Sequence, residues 1–183
     1  MKHSTAYKEM VCFPSPILQT VCTPVKHITS DIKELAHHML DVMYATDGCG
    51  LAAPQIGETI RLVVIDVDWS STSAKNPYVL VNPTIVTADG KDRLMPEGCL
   101  SYPGIMVGVT RPSHVICEAY NLDGECMRYE ATGNLMAACL QHECDHINGI
   151  TIPDHLPPLE KIEKLKEYKL AVEKGARPGD VEV

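Results

Sequence analysis

The sequence contains few aromatic side chains, no long apolar run and no excess of positive charge. One Trp and one Phe occur among 183 residues, and the formal net charge is −8. Because no stretch of about 20 apolar residues is present, we expect no membrane-spanning helix, and the polar start Met1–Met10 lacks the apolar core of a signal peptide. The acidic balance argues against broad contact with a nucleic-acid backbone. We therefore expect a cytoplasmic protein with no direct nucleic-acid or membrane partner.

Paired cysteine spacings are also absent, although the chain has eight cysteines. Regular cysteine spacing is typical of small secreted disulfide scaffolds, so we expect free thiols here. Most of the eight lie in apolar stretches and are predicted to be small buried hydrophobic residues. Cys99 differs, because it lies between a glycine and a leucine within the partly polar segment Glu97–Ser101.

The sequence does contain a pattern typical of a metal-binding helix, with His142 and Glu143 followed by His146. On a helix the two histidines lie about 40° apart around the axis, so both can bind one ion. Glu143 can reach a water on that ion without being a ligand. Cys144 projects onto the opposite face, so a third ligand has to come from elsewhere. An ordinary polar helix face is the alternative interpretation.

Cys99 is the best candidate for the third ligand. A cysteine with two histidines gives a three-ligand site with one open position, as a catalytic metal requires. A free cysteine without a ligand role is the alternative for this short segment. The donor set accepts zinc, iron, nickel or cobalt.

Two other interpretations of the motif predict different ligands. A zinc peptidase would take its third ligand downstream of His146, from Asp154, His155 or Glu160. A structural zinc module would need a fourth protein ligand to close the site.

The segment Gly48–Gly57 is rich in small residues and contains one polar side chain, Gln55. Its glycines and alanines are typical of a place where a ligand lies against the backbone. A tight connection between a helix and a strand is the alternative.

The apolar pattern predicts an α+β fold, with antiparallel strands wrapped around the central metal-binding helix and one helix on each side of it in the chain. The N-terminal helix runs from Ser30 to the Asp47-Gly48 pair, and the C-terminal helix follows the two prolines at 157–158. Strands are predicted at residues 61–68, 78–82, 84–87, 106–110, 114–120 and 126–130, with a turn at 89–90. No repeat or linker divides the chain, so we expect one domain over 1–183, with a loose extension at 1–12 and a disordered tail at 176–183.

Three segments together resemble the peptide deformylase family: residues 48–55, 97–101 and 141–146. The resemblance extends from about Phe13 to the last helix. It implies a hydrolase that removes the formyl group from the N-terminal formylmethionine of newly made chains and releases formate. It also implies Fe²⁺ as the native ion, with Zn²⁺ a weaker substitute. The expected partners are formylmethionyl peptides on nascent chains, with at most a transient ribosome contact, and the expected state is a monomer.

The resemblance also implies residue roles. Glu143 would take a proton from water and pass it to the departing amine. The Gln55 side chain and the Leu100 backbone N–H, with the metal, would stabilise the negative charge on the formyl oxygen. Glu97 and Arg111 match a pair that braces the turn. The implied substrate-binding positions are Cys49, Gly50, Glu97, Leu135, Ala138 and Cys139.

Overall fold

The computed structural model describes residues 9–69 and 74–181. Within these ranges it has three α-helices and five strands, and the predicted α+β class is confirmed. None of the helices in these ranges is long and apolar enough to cross a membrane. The helices are α1 (Ser30–Ala45), α2 (Leu135–Ile147) and α3 (Pro158–Glu173). The strands are β1 (Gly50–Ala52), β2 (Leu62–Ile65), β3 (Tyr78–Gly98), β4 (Met106–Tyr120) and β5 (Cys126–Thr132).

The strands form one antiparallel sheet in the order β1-β2-β3-β4-β5. The predicted strands 78–82 and 84–87 belong to one strand of 21 residues, β3, so the predicted turn at 89–90 is wrong. Its extra residues are accommodated as register shifts against β4, between Val81 and Thr84, between Ile85 and Thr87, and between Asp89 and Asp92. Gly90, at φ +80°, allows the last of these shifts, since a side chain would strain that backbone. The hairpin therefore stays paired up to Gly98, beside the candidate ligand Cys99.

Helix α2 is central, because it contacts all five strands. The Asn134 side chain accepts a hydrogen bond from Ala137 N at 3.0 Å, which caps the start of the helix. Leu140, Cys144 and Ile147 are buried in the core beside strand residues. Because these residues fix one face of the helix in the core, the histidines on the opposite face are directed toward the end of the β3–β4 hairpin.

Both predicted loose segments make hydrogen bonds to other parts of the chain where the structure describes them. Met10 is buried, and Val11 N donates to Gln55 O at 2.7 Å. Near the other end, Pro178 is buried and Gly104 N donates to Asp180 O at 2.8 Å. Residues 10–12 and 176–181 therefore contact the rest of the fold, and the loose extension at 1–12 and the disordered tail at 176–183 stay predictions. Residues 1–8 and 182–183 lie outside the described ranges.

Candidate metal centre

The three predicted ligands meet at one place. The ligand atoms of Cys99, His142 and His146 all lie within 4.8 Å of one another. Cys99 Sγ lies 3.2 Å from His146 Nε2, and the two imidazole centroids are 5.0 Å apart. Cys99 immediately follows β3, whereas both histidines lie on α2, so the packing of the hairpin against the helix creates the site.

The chemistry of these three side chains fits a cation. Burial raises the pKa of the Cys99 thiol, so a positive charge against the sulfur is needed to make it a thiolate. Burial also lowers the pKa of His146 well below its usual value, which keeps the ring neutral with a lone pair available for a metal. His146 Nδ1 is buried and has no hydrogen-bond partner among the described residues. One sulfur and two imidazole nitrogens are the donors that zinc and iron accept in proteins.

Glu97 holds His142 in place. His142 Nδ1 lies 3.0 Å from Glu97 Oε2, so Nε2 of that ring is the nitrogen left for an ion. Arg111 donates to both oxygens of Glu97, at 2.6 and 2.9 Å. Glu97 and Arg111 are 8% and 6% exposed, so this pair is buried and is not an ordinary surface ion pair. Burial acts to raise the pKa of Glu97, but the hydrogen bonds from His142 and Arg111 outweigh it and lower that pKa to about 2.

The buried charges continue toward the surface. Arg111 also donates to Asp145 Oδ2 at 2.8 Å, and His155 Nε2 lies 2.8 Å from the same oxygen. His142, Glu97, Arg111, Asp145 and His155 therefore form a continuous network, which we call the Arg111 network. It joins a candidate ligand to the turn that precedes α3. From the sequence, Asp145 could either orient a neighbouring side chain or lie on the helix surface, and His155 was not placed in such a network.

Glu143 lies beside the candidate ligands but is not one of them. Its side chain is buried, and its Oε2 has no hydrogen-bond partner among the described residues. Burial, followed by the nearby Cys49 and Glu97, raises the pKa of Glu143 well above its usual value. A Cβ at Gly50 would collide with the Glu143 carboxyl and would lie 2.8 Å from Cys139 Sγ. The chain therefore requires glycine at position 50 to admit Glu143.

Gln55 is fixed with its amide N–H group facing the site. Its Oε1 accepts from Ala52 N at 2.9 Å, and its Nε2 donates to Ser101 Oγ at 3.2 Å and lies 3.7 Å from Cys99 Sγ. Ser101 in turn donates to Val11 O at 2.8 Å. The orienting role of Ser101 was not predicted, because it depends on a partner 46 positions away in the sequence. Leu100, the other predicted donor, lies in the turn beside Cys99, at the border of a cleft.

A cleft of about 290 Å³ opens onto Cys99 and His142, and the third candidate ligand, His146, is buried behind them. All six predicted substrate-binding residues border it, namely Cys49, Gly50, Glu97, Leu135, Ala138 and Cys139. Met106, which matches a position where some relatives carry an arginine that touches the substrate, also borders the cleft, whereas sequence reasoning did not find Asp47, Gly179, Asp180 and Val181. Most of the cleft surface is apolar, so it suits a hydrophobic side chain.

Two of the three residues that a downstream third ligand could come from are engaged elsewhere. His155 contacts Asp145, and Asp154 contacts Thr151 and Lys161. No fourth His, Cys, Asp or Glu joins the three-ligand group within residues 9–69 and 74–181. These contacts argue against both a downstream third ligand and a closed structural zinc site.

The chain matches known protein sequences along most of its length. The family described as Polypeptide deformylase matches residues 7–162. The peptide deformylase of Acinetobacter baumannii (strain SDF) is 43% identical over 162 residues, which cover 85% of this chain and 90% of that protein. The peptide deformylase of Brucella suis biovar 1 (strain 1330) is 41% identical over 162 residues, covering 88% of this chain and 91% of that protein.

Solved structures share the same architecture. A peptide deformylase from Legionella pneumophila superposes with a TM-score of 0.83 at 34% identity, covering 90% of this chain and 95% of that one. A peptide deformylase from Synechococcus elongatus, solved in complex with actinonin, gives a TM-score of 0.82 at 34% identity, covering 95% and 91%.

Proposed function

This chain belongs to the peptide deformylase family, and we propose that Glu143, Gln55 and Leu100 perform its reaction beside an ion held by Cys99, His142 and His146. The enzyme is a hydrolase that removes the N-formyl group from newly made polypeptides. Water breaks the formyl amide bond, and the products are formate and a free N-terminal amine. The single observation that carries the residue assignment is the grouping of three ligand atoms within 4.8 Å of one another, with a buried carboxyl and a fixed amide donor beside them at one cleft.

The ion defines the kind of chemistry. A divalent metal with an open position supplies Lewis acidity, which lowers the pKa of water and polarises a carbonyl oxygen. We propose Fe²⁺ as the native ion, with Zn²⁺, Ni²⁺ or Co²⁺ able to replace it, because one thiolate and two imidazoles suit all four. Protein purified anaerobically with Fe²⁺ should lose activity in air, and equal activity after both preparations would contradict this choice.

Glu143 moves the proton. Its position beside the ligands allows it to accept a proton from the attacking water. Because burial raises the pKa of Glu143, the carboxyl can keep that proton and then donate it to the leaving nitrogen. Gly50 leaves room for the carboxyl, since any side chain at position 50 would occupy the same space.

Gln55 and Leu100 stabilise the charge that develops on the formyl oxygen. Because Ala52 and Ser101 hold the Gln55 amide on both ends, its N–H group is oriented before substrate arrives. Such preorganised donors stabilise a transition state more than a mobile donor does.

The substrate lies in the cleft with its methionine side chain among apolar residues. Cys49, Leu135, Ala138 and Cys139 form this part of the border, and a flexible thioether packs well against small apolar groups. Gly50 lies on β1, which is at the end of the strand order and can pair with an extended peptide. We propose that these peptides are nascent chains in the cytoplasm, that ribosome contact is transient, and that the enzyme works as a monomer.

Formate release tests the proposal directly. The iron-loaded protein should release formate from a formyl-Met-Ala peptide, and actinonin, which is bound in the Synechococcus relative, should inhibit it. Unformylated Met-Ala peptide is the control for peptidase activity. Cleavage of Met-Ala without formate release from the formylated peptide would overturn the assignment.

A further inference from the structure

A short segment after α3 forms one wall of the cleft. Gly179, Asp180 and Val181 border the same cleft as Cys99 and Glu143. The family match ends at residue 162, so this wall lies outside the matched part of the chain. We call residues 178–181 the tail wall.

One side of the tail wall is fixed to the end of α1. Gly179 has a φ of +101°, and a Cβ at this position would lie 2.5 Å from the carbonyl oxygen of Thr46. Glycine is therefore required both by the backbone conformation and by the close approach. Thr46 is itself buried, and its hydroxyl donates to Val42 O at 2.8 Å, so the contact is with a fixed part of the fold.

The other side is fixed to the turn between β3 and β4. Asp180 O accepts from Gly104 N at 2.8 Å. A local turn closes the segment, since Asp180 N donates to Arg177 O at 2.9 Å and Arg177 N donates to Asp180 Oδ2 at 2.7 Å. Pro178 is buried beneath it. The tail wall therefore contacts both the end of α1, which precedes Gly50, and the β3–β4 turn, which contains Cys99.

Val181 presents an apolar group at the rim. Its side chain is on the Gly98 side of the cleft, with Cγ1 3.4 Å from where a Cβ at Gly98 would lie. Met106 lies against the same glycine, and Val181 is 56% exposed. An exposed valine beside an exposed part of an apolar cleft is suited to contact a ligand.

The position of the wall indicates which part of the substrate it meets. The formyl group belongs beside the ligands, and the methionine side chain belongs among Cys49, Leu135 and the small residues of α2. Gly98, Met106 and the tail wall form a further part of the cleft border, because Met106 and Val181 both lie against Gly98, and this part is available to the rest of the peptide. We propose that Val181 contacts the residue that follows formylmethionine and favours an apolar side chain there. This inference rests on the proposed function.

The test compares two formylated peptides that differ at the second residue, formyl-Met-Leu-Ser and formyl-Met-Gly-Ser. The iron-loaded enzyme should have a higher kcat/KM for the leucine peptide. Val181→Ala should reduce this preference about fivefold, because two methyl groups are lost from an apolar contact. The change should be in KM for the leucine peptide with kcat retained, as expected for a contact made equally in the ground and transition states.

Val172→Ala is the matched control, because Val172 is also an exposed valine but lies on α3 and does not border the cleft. A variant that ends at Arg177 lacks the whole wall and should lose at least as much preference as Val181→Ala. Equal preference in Val181→Ala and Val172→Ala would overturn the inference. So would a truncated enzyme that is faster on both peptides, since the wall would then obstruct the cleft. Absence of formate release from either peptide by the wild type would instead reject the proposed function.

Discussion

At the scale of single residues, the proposed roles assign metal binding and proton transfer to different side chains. Cys99, His142 and His146 bring the ligand atoms together, whereas Glu143 is buried beside them without a described partner for Oε2. Substitution of Glu143 should therefore affect turnover without affecting the ligands.

Glu143→Ala tests this separation. We expect the variant to fold, to bind one equivalent of metal and to lose activity by about 10²–10⁴-fold, the usual contribution of general acid–base catalysis. Metal content by elemental analysis and formate release measure the two properties separately. Full deformylation by the variant would exclude Glu143 as the proton carrier.

Gln55→Ala should also retain metal and lose activity, but here the lost activity is due to a missing hydrogen-bond donor. Gln55 Oε1 accepts from Ala52 N, and Gln55 Nε2 is directed to the site, so the substitution removes the proposed donor to the formyl oxygen. The loss of one such donor reduces kcat by about 10²–10³-fold. Ser101→Ala provides a comparison, because it keeps Gln55 but removes the hydroxyl that orients it, and its loss should be smaller. An unchanged kcat in Gln55→Ala would contradict the role.

At the scale of secondary structure elements, the Arg111 network ties three elements together. Arg111 lies on β4, Glu97 near the end of β3, and Asp145 on α2. Arg111→Met leaves the buried Glu97 carboxylate without its cation, which costs about 3–5 kcal/mol in the free energy of unfolding.

Chemical denaturation measures the free energy of unfolding that Arg111→Met loses, and an exposed ion pair provides the comparison. Lys33 and Asp123 are 43% and 79% exposed at a separation of 3.5 Å, so Lys33→Met should cost less than about 1 kcal/mol. The double variant Glu97→Gln/Arg111→Met should recover part of the stability lost by Arg111→Met alone, because both charges are removed. Equal effects of Arg111→Met and Lys33→Met would show that the buried pair contributes no more than an exposed one.

The turn between α2 and α3 has a pH-dependent contact at Asp154. Burial acts to raise the pKa of Asp154, but hydrogen bonds from Lys161 and Thr151 outweigh it and lower that pKa. The carboxylate therefore stabilises the fold at pH values above its ordinary pKa of 3.8, and this stabilisation is lost as the pH falls through the lower, folded-state pKa.

Asp154→Asn should remove this part of the pH dependence. Its free energy of unfolding should differ from the wild type near neutral pH and approach it in acid. Asp41→Asn is the control, because Asp41 is exposed on α1. A difference between Asp154→Asn and the wild type that is the same at every pH would contradict the role of the charge.

The sequence predicted contacts within an element better than contacts between elements. Helical periodicity alone placed His142, Glu143 and His146 on neighbouring faces, because their separations are within about one turn. The continuous β3 was not predicted, since Pro83 and Gly90 resemble breaks until a partner strand accommodates them as register shifts. Ser101 and the tail wall were missed because their roles depend on residues far away in the sequence.

At the scale of the whole molecule, the metal joins parts of the chain that are distant in sequence. Cys99 and His146 are 47 positions apart, so the ligands meet only when the hairpin and α2 are packed together. An ion bound to the folded state alone stabilises the protein, by about 2.7 kcal/mol when its free concentration is 100 times its Kd.

Removal of the metal should therefore lower Tm, by roughly 2–4 °C for each kcal/mol lost. Thermal unfolding with and without a chelator measures the shift, and re-addition of Zn²⁺ should reverse it. Cys99→Ser serves as the comparison, because a variant with weakened metal binding should show little response to chelator. If the chelator abolishes activity but leaves the Tm of the wild type unchanged, the ion does not stabilise the folded state.

The Arg111 network also limits how this protein can change over evolutionary time. Arg111 pairs with both Glu97 and Asp145, so replacement of Arg111 alone leaves two carboxylates without that cation. Drift at position 111 should therefore require compensating replacements at positions 97 and 145. Among lineages that diverged long ago, we expect the trio to be inherited intact or exchanged together.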